Sequence, residues 1–156
     1  MSQVDPAQLK KVPLFANLPS EHLAKIAAIA GERTVKSNEK IFSEGDVGTE
    51  MFLIMSGRVR ISKMVPGVGE EALAILEPGS YFGEMALIDD TPRSADAIAH
   101  IPCSLWVIQK ADLEELMFLH KDLAYELLWT FVRTLSSRLR ETNDKIKAFF
   151  ALSARF

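Results

Sequence analysis

Apolar residues follow three different rhythms along this chain. In residues 2–31, Leu23, Ile26, Ala27 and Ala30 fall at i, i+3, i+4 and i+7, the spacing of one buried helix face. The break Leu18-Pro19-Ser20 precedes them, with Ser20 as the predicted N-cap and Gly31 as the predicted C-cap. Leu9, Val12, Leu14 and Phe15 cluster upstream around Pro13, which predicts a short helix and a turn. In residues 32–110 the rhythm shortens. Apolar stretches recur at 40–42, 51–55, 58–64, 72–76, 95–99 and 104–109, and Arg58-Val59-Arg60-Ile61 alternates with the period of a half-buried strand. Seven of the eight glycines (45, 48, 57, 67, 69, 79 and 83) lie in this segment, mostly at the breaks, which predicts a small antiparallel barrel or sandwich. Residues 111–156 hold no Pro or Gly and return to helical spacing. Leu123, Leu127, Leu128, Phe131, Leu135 and Leu139 line an amphipathic helix that Ile146 and Phe149 continue.

Composition narrows the class without naming it. The 156 residues are 48% hydrophobic and 25% charged, which is enough for one core and predicts a single domain over 1–156. One cysteine, Cys103, leaves no disulfide framework and suits a reducing, cytoplasmic setting. The apolar runs are too short for a membrane span. Charge is uneven: residues 1–132 carry 12 basic and 19 acidic side chains, whereas 133–156 carry 6 and 2. A basic tail suits either a nucleic-acid arm or a solvated helix face, with the net −3 of the whole chain favouring the latter.

Catalytic constellations are hard to find. His22, His100 and His120 lie in different segments and show no metal-ligand spacing. Gly67-Val68-Gly69 sits between two strand-like runs and reads as a hairpin turn. Cys103, beside Pro102 in an apolar stretch, reads as an inert core thiol. The informative stretch runs from Gly79 to Ala95. Gly83 allows a close backbone approach, and the amides after it can form an anion-binding nest. Glu84 stands in an apolar surround and needs a donor; Arg93, behind Pro92, offers a planar fork for a phosphate, with the Ser94 hydroxyl beside it. This spacing suits a ligand with both hydroxyl and phosphate groups. It equally suits an ion pair between Glu84 and Arg93 across a loop.

Phe82-Gly83-Glu84-Met85-Ala86-Leu87 followed by Pro92-Arg93-Ser94-Ala95 resembles the phosphate-binding cassette of the cyclic-nucleotide-binding domain, the family of the bacterial catabolite activator and the regulatory subunits of cyclic-AMP-dependent protein kinase. A second motif stands upstream in register: Ile41-Phe42-Ser43-Glu44-Gly45-Asp46-Val47-Gly48, then Met51 to Ile54 and Gly57-Arg58-Val59, with Leu14 to Leu18 matching the usual helical lead-in. The resemblance spans roughly residues 9–145. It implies an α+β fold, an eight-stranded antiparallel, jelly-roll-like β-roll over 32–110 between N-terminal helices (1–31) and C-terminal helices (111–156), a short one beginning at Ala111 and then a long one. By the same resemblance Glu84 would accept the ribose 2′-hydroxyl and Arg93 would pair with the cyclic phosphate. Backbone amides around Gly83, Met85 and Ala95, with the Ser94 hydroxyl, would complete the cage. The base would be covered from the C-terminal helix. Local similarity points there to Thr142 and Asn143, whereas counting straight from the cassette points to Arg138.

The resemblance implies a non-enzymatic sensor of a cyclic mononucleotide that needs no other cofactor and signals to an effector protein. Guanine-selective members often carry Thr directly after the cassette arginine; Ser94 stands there, which favours cyclic AMP over cyclic GMP. Catabolite activators continue into a helix-turn-helix domain, and this sequence stops at Phe156, so a stand-alone module is expected. A homodimer through the 123–149 helix is also expected, with Leu127, Phe131, Leu135 and Leu139 at its seam; the alternative is that these residues pack on their own roll. Two other functions compete: a degenerate scaffold that binds no nucleotide, and a DNA-binding regulator using the basic tail.

Overall fold

The computed structural model describes residues 4–154, apart from the side chains of residues 86 and 87; the outermost ends of the expected N- and C-terminal segments lie outside it. Two four-stranded antiparallel sheets face each other. The first has the order β1 (Ala30–Val35), β8 (Cys103–Gln109), β3 (Glu50–Ser56), β6 (Tyr81–Phe82). The second has the order β2 (Lys40–Phe42), β7 (Asp96–Ala99), β4 (Val59–Val65), β5 (Gly69–Leu76). The expected β-roll is therefore present. The Gly67-Val68-Gly69 turn closes the β4–β5 hairpin as predicted, with Val65 paired to Gly69 and Gly67 at φ +78°.

Helices pack against the outer face of the first sheet. α1 (Pro6–Leu9), a 3₁₀ turn (Pro13–Phe15) and α2 (Ser20–Ile29) precede the roll; α3 (Met85–Asp89) interrupts it; α4 (Lys110–Leu119) and α5 (Lys121–Ser153) follow it. Two cores result. One joins Leu9, Phe15, Leu23 and Ile26 to Met51, Leu53 and Trp106 of the first sheet and to Leu123, Leu127 and Phe131 of α5. The other fills the roll interior with Phe52, Ile54, Val59, Phe82, Ala97 and Leu105. Period-2 alternation explains the division: Leu53 faces the helices while Phe52 and Ile54 face inward.

Several sequence expectations change. Gly31 is not a C-cap: α2 stops at Ile29, Ala30 is already extended, and the chain runs directly into β1, pairing Ala30 with Ile108 and Gly31 with Val107. Ser20 is the first helical residue, one position inside the observed cap at Pro19. Leu127 and Phe131, expected at a dimer seam, are buried in the chain's own helical core. Leu135 is half-buried, and from Leu139 to Ser153 α5 is exposed throughout. Cys103 is buried as expected: its Sγ lies within reach of the carbonyls of Arg58 (3.2 Å) and Ile101 (3.1 Å), either of which can accept its single S–H, and burial raises the thiol pKa. Among the described residues no helix is long and apolar enough to cross a membrane, and no cluster of three metal-ligating side chains occurs.

Candidate functional site

The two sequence motifs meet in space. Arg93 is clamped by its backbone to the turn after β2: its N–H donates to the Asp46 carbonyl and its carbonyl accepts from Gly45 N–H, both at 2.8 Å. That turn is itself braced, because the Asp46 carboxylate accepts from Ser43 N–H (2.9 Å) and the buried Asp96 carboxylate accepts from Glu44 N–H (2.7 Å). The upstream motif thus builds the shelf on which the downstream arginine stands.

Arg93 is only 6% exposed. Its Nη1 donates to the Gly83 carbonyl (2.7 Å) and its Nη2 to the Glu50 carbonyl (2.6 Å), and the guanidinium lies 4.1 Å from the centroid of Phe42. Its buried Nε has no partner. Burial lowers the guanidinium pKa, opposed by the carboxylates of Glu50, Asp46 and Glu84. Gly83 is required where it stands. Its φ is +83°, and an added Cβ would lie 2.9 Å from Arg93 Nη1 and 3.2 Å from the Glu50 carbonyl.

Glu84, 2% exposed, immediately precedes α3. Its partner is neither Arg93 nor any other residue of the roll. Arg138 of α5 donates from Nη1 to Glu84 Oε1 at 2.5 Å and from Nη2 to the Tyr81 carbonyl at 3.0 Å, with its guanidinium over the Tyr81 ring at 5.2 Å. The loop-spanning Glu84–Arg93 ion pair is therefore excluded. The tip of the cassette is tied down as well: Asp89 accepts from both the N–H and hydroxyl of Thr91, and Asp90 pairs with Lys110 at the start of α4.

Between these groups lies a cavity of about 320 Å³. Gly83, Glu84, Met85, Arg93, Ser94 and Ala95 all line it. Phe42, Ile61, Leu73 and Leu76 make an apolar wall. Leu73 reaches it through a bulge: Ile61 pairs with Ala74 and Ser62 with Ala72, leaving Leu73 without a partner across the ladder. α5 contributes Arg138, Glu141, Thr142 and Lys145 to the remaining wall. Of the three C-terminal residues singled out from sequence, Arg138 and Thr142 thus reach the cavity, whereas Asn143 is exposed and lies outside its lining. Glu141 and Lys145 were not anticipated; the i, i+3, i+4 and i+7 spacing from Arg138 was the available signal. Such a cavity has a buried cation, a buried carboxylate and several apolar side chains in its lining. It can hold a small, flat, amphipathic anion.

The family model of the cyclic nucleotide-binding domain matches residues 32–120, more than half of the chain. The cyclic AMP receptor protein of Thermus thermophilus is 33% identical over 135 residues, 86% of this chain and 61% of that protein. A cAMP-dependent protein kinase regulatory subunit from Mycosarcoma maydis is 38% identical over 91 residues, 58% of this chain and 17% of that protein. The crystal structure of a cyclic nucleotide-binding domain from Methylobacillus flagellatus superposes with a TM-score of 0.79 at 28% identity, covering 90% of this chain and 79% of that one.

Proposed function

Because the chain belongs to the cyclic nucleotide-binding domain family, a regulatory rather than catalytic kind of module, we propose that it is a receptor for a cyclic mononucleotide, cyclic AMP in preference to cyclic GMP, which passes its signal to a partner protein. The observation that carries this reading is Arg93, a buried guanidinium lining the cavity with its Nε unpartnered. A buried donor of that kind is costly to leave unmade, and a phosphate oxygen satisfies it. Glu84 receives the ribose 2′-hydroxyl on carboxylate lone pairs that Arg138 does not use. Amides around Gly83, Met85 and Ala95, with the Ser94 hydroxyl, complete the phosphate cage. The cavity, near the lower end of the roughly 300–1,000 Å³ usual for small-molecule sites, suits one nucleotide better than two.

The scaffold reading draws on the pair between Glu84 and Arg138, which satisfies the carboxylate with no ligand present. The unpartnered Nε of Arg93 weighs against it, since a scaffold gains nothing from leaving one buried guanidinium N–H without an acceptor. Titration calorimetry separates the two. Cyclic AMP is expected to bind one to one, cyclic GMP more weakly, and a cyclic dinucleotide not at all; silence with all three overturns the receptor.

The same reading includes a homodimer through α5, on a different stripe from the one expected. Tyr125, Val132, Leu139 and Ile146 recur at intervals of seven, with Leu128 and Phe149 three residues after the first and last of them, and all six are exposed. That is a heptad seam with no counterpart on the chain's own roll.

A further inference from the structure

We propose that Glu50 and Arg33, an ion pair outside the cavity, set how strongly Arg93 attracts an anionic ligand, a role resting on the cyclic-nucleotide reading above. The starting point is an absent partner. Among the described residues no carboxylate makes a hydrogen bond or ion pair with the buried Arg93 guanidinium. Its terminal nitrogens both donate to backbone carbonyls, and Glu84 is taken by Arg138. The field of such a cation depends on charges further off. Burial lowers its pKa, and of the carboxylates that oppose this Glu50 acts most strongly, ahead of Asp46 and Glu84.

Backbone and side chain of Glu50 do different things. Its carbonyl accepts from Arg93 Nη2 at 2.6 Å, which keeps the residue beside the guanidinium. The strand ladder holds that carbonyl in place: Glu50 pairs with Gln109 of β8, and the neighbouring Thr49 carbonyl accepts from Lys110 N–H at 2.8 Å. The carboxylate turns to other donors, one oxygen accepting from both Arg33 Nη2 and Gln109 Nε2, each at 2.8 Å. Of these two donors Arg33 alone carries a charge. Neither Glu50 nor Arg33 lines the cavity. The pair therefore reaches the ligand through charge: Glu50 opposes an incoming anion, and Arg33 offsets Glu50. Both side chains are partly exposed, 21% for Glu50 and 41% for Arg33, so solvent screens the effect to a severalfold change.

The test uses substitutions of opposite sign, read by calorimetry with cyclic AMP at low salt. Glu50→Gln keeps the shape and an acceptor oxygen but removes the charge, and should bind about two- to fivefold more tightly than wild type. Arg33→Met leaves the Glu50 carboxylate without its cation and should weaken binding by a similar factor. Arg33→Lys keeps the charge and should stay near wild type. Damage to the fold weakens binding, so tighter binding by Glu50→Gln is the result that a merely structural role does not give. Unchanged or weaker binding by Glu50→Gln overturns the proposal, whether or not Arg33→Met folds. So does an Arg33→Met variant that binds as wild type does, or an Arg33→Lys variant that loses as much as Arg33→Met. If the wild-type chain binds no cyclic nucleotide, the receptor reading itself falls.

Discussion

Two buried charged residues line the cavity, and each marks an end of the site that is built in a different way. At the Arg93 end every observed partner belongs to the roll: the Gly83 and Glu50 carbonyls, the Phe42 ring and the Gly45–Asp46 shelf. At the Glu84 end the partner is Arg138, 54 residues away on α5. One end is preformed by short-range strand and turn geometry. The other is complete only while a helix that leaves the body of the protein a few residues later stays docked. A ligand that spans both ends is held by the roll and by α5 together, so its binding energy favours the docked helix over an undocked one. The expectation is unequal behaviour: damage at the first end removes affinity outright, and damage at the second loosens the coupling.

The strongest attempt to break this comparison is Arg93→Ala. Truncating one partner of a desolvated, charge-assisted pair costs about 2–5 kcal/mol, or roughly 30-fold to several thousandfold in affinity at about 1.4 kcal/mol per tenfold. Calorimetry reads the loss directly, and the ligand-induced rise in melting temperature should shrink with it. Arg93→Lys should also lose much of the affinity, since a point charge cannot reproduce the fork. Retention of wild-type affinity by Arg93→Ala refutes the assignment of the phosphate end.

Gly83→Ala comes next and attacks the same end through the backbone. A residue with a Cβ pays about 1–2 kcal/mol for the left-handed conformation, and here the Cβ also crowds Arg93 Nη1 at 2.9 Å. The melting temperature without ligand should fall, and affinity should fall with it because Arg93 must move. A variant as stable as wild type with unchanged affinity would show that the close approach of backbone and guanidinium is unimportant.

Arg138→Ala probes the other end. It leaves the Glu84 carboxylate buried without its cation, a penalty of about 1–3 kcal/mol, kept toward the low side because Arg138 is partly exposed and water can take its place. Stability should drop measurably in thermal melts, while nucleotide affinity falls less than in Arg93→Ala. An affinity loss as large as that of Arg93→Ala would erase the distinction between the two ends.

The sequence exposed these two ends unequally, for the same physical reason. The roll end was legible because its determinants are local: a glycine that must adopt positive φ, an arginine fixed behind a proline, and a second motif in register. Six of the eight strands were marked by runs of apolar residues between turns. β1 was missed because its positions 31–34 are exposed and polar enough to read as the end of a helix, and β6 because two residues carry no period. α3 hid inside the cassette, being only five residues long. The helix end was poorly legible because it depends on where α5 docks, a matter of packing at long range. Periodicity marked Leu123, Leu127, Phe131 and Leu139 as one stripe. The stripe begins in the core and ends in solvent, since α5 outruns the body it packs on.

The smallest effect on the roll, and the sharpest test of α5, comes from Leu139→Glu. Leu139 is 61% exposed and belongs to the seven-residue repeat with Tyr125, Val132 and Ile146, one residue beyond Arg138. Within a single chain the substitution is a surface change, worth no more than about 0.5 kcal/mol. In a dimer whose seam is this repeat, a carboxylate would enter an apolar interface, which is costly without a partner. Light scattering should therefore report a fall from dimer to monomer mass while the circular dichroism of the roll is unchanged. Leu127→Glu, one register earlier in the buried stripe, is the contrast: it should unfold the helical core, because Leu127 packs inside the chain. Where α5 is seated by its twin as well as by Arg138, the Leu139→Glu monomer should also bind nucleotide somewhat more weakly. A wild-type chain that is monomeric at high concentration, or a Leu139→Glu variant that stays dimeric, removes the partner copy from α5 and leaves Arg138 as its anchor to the cavity.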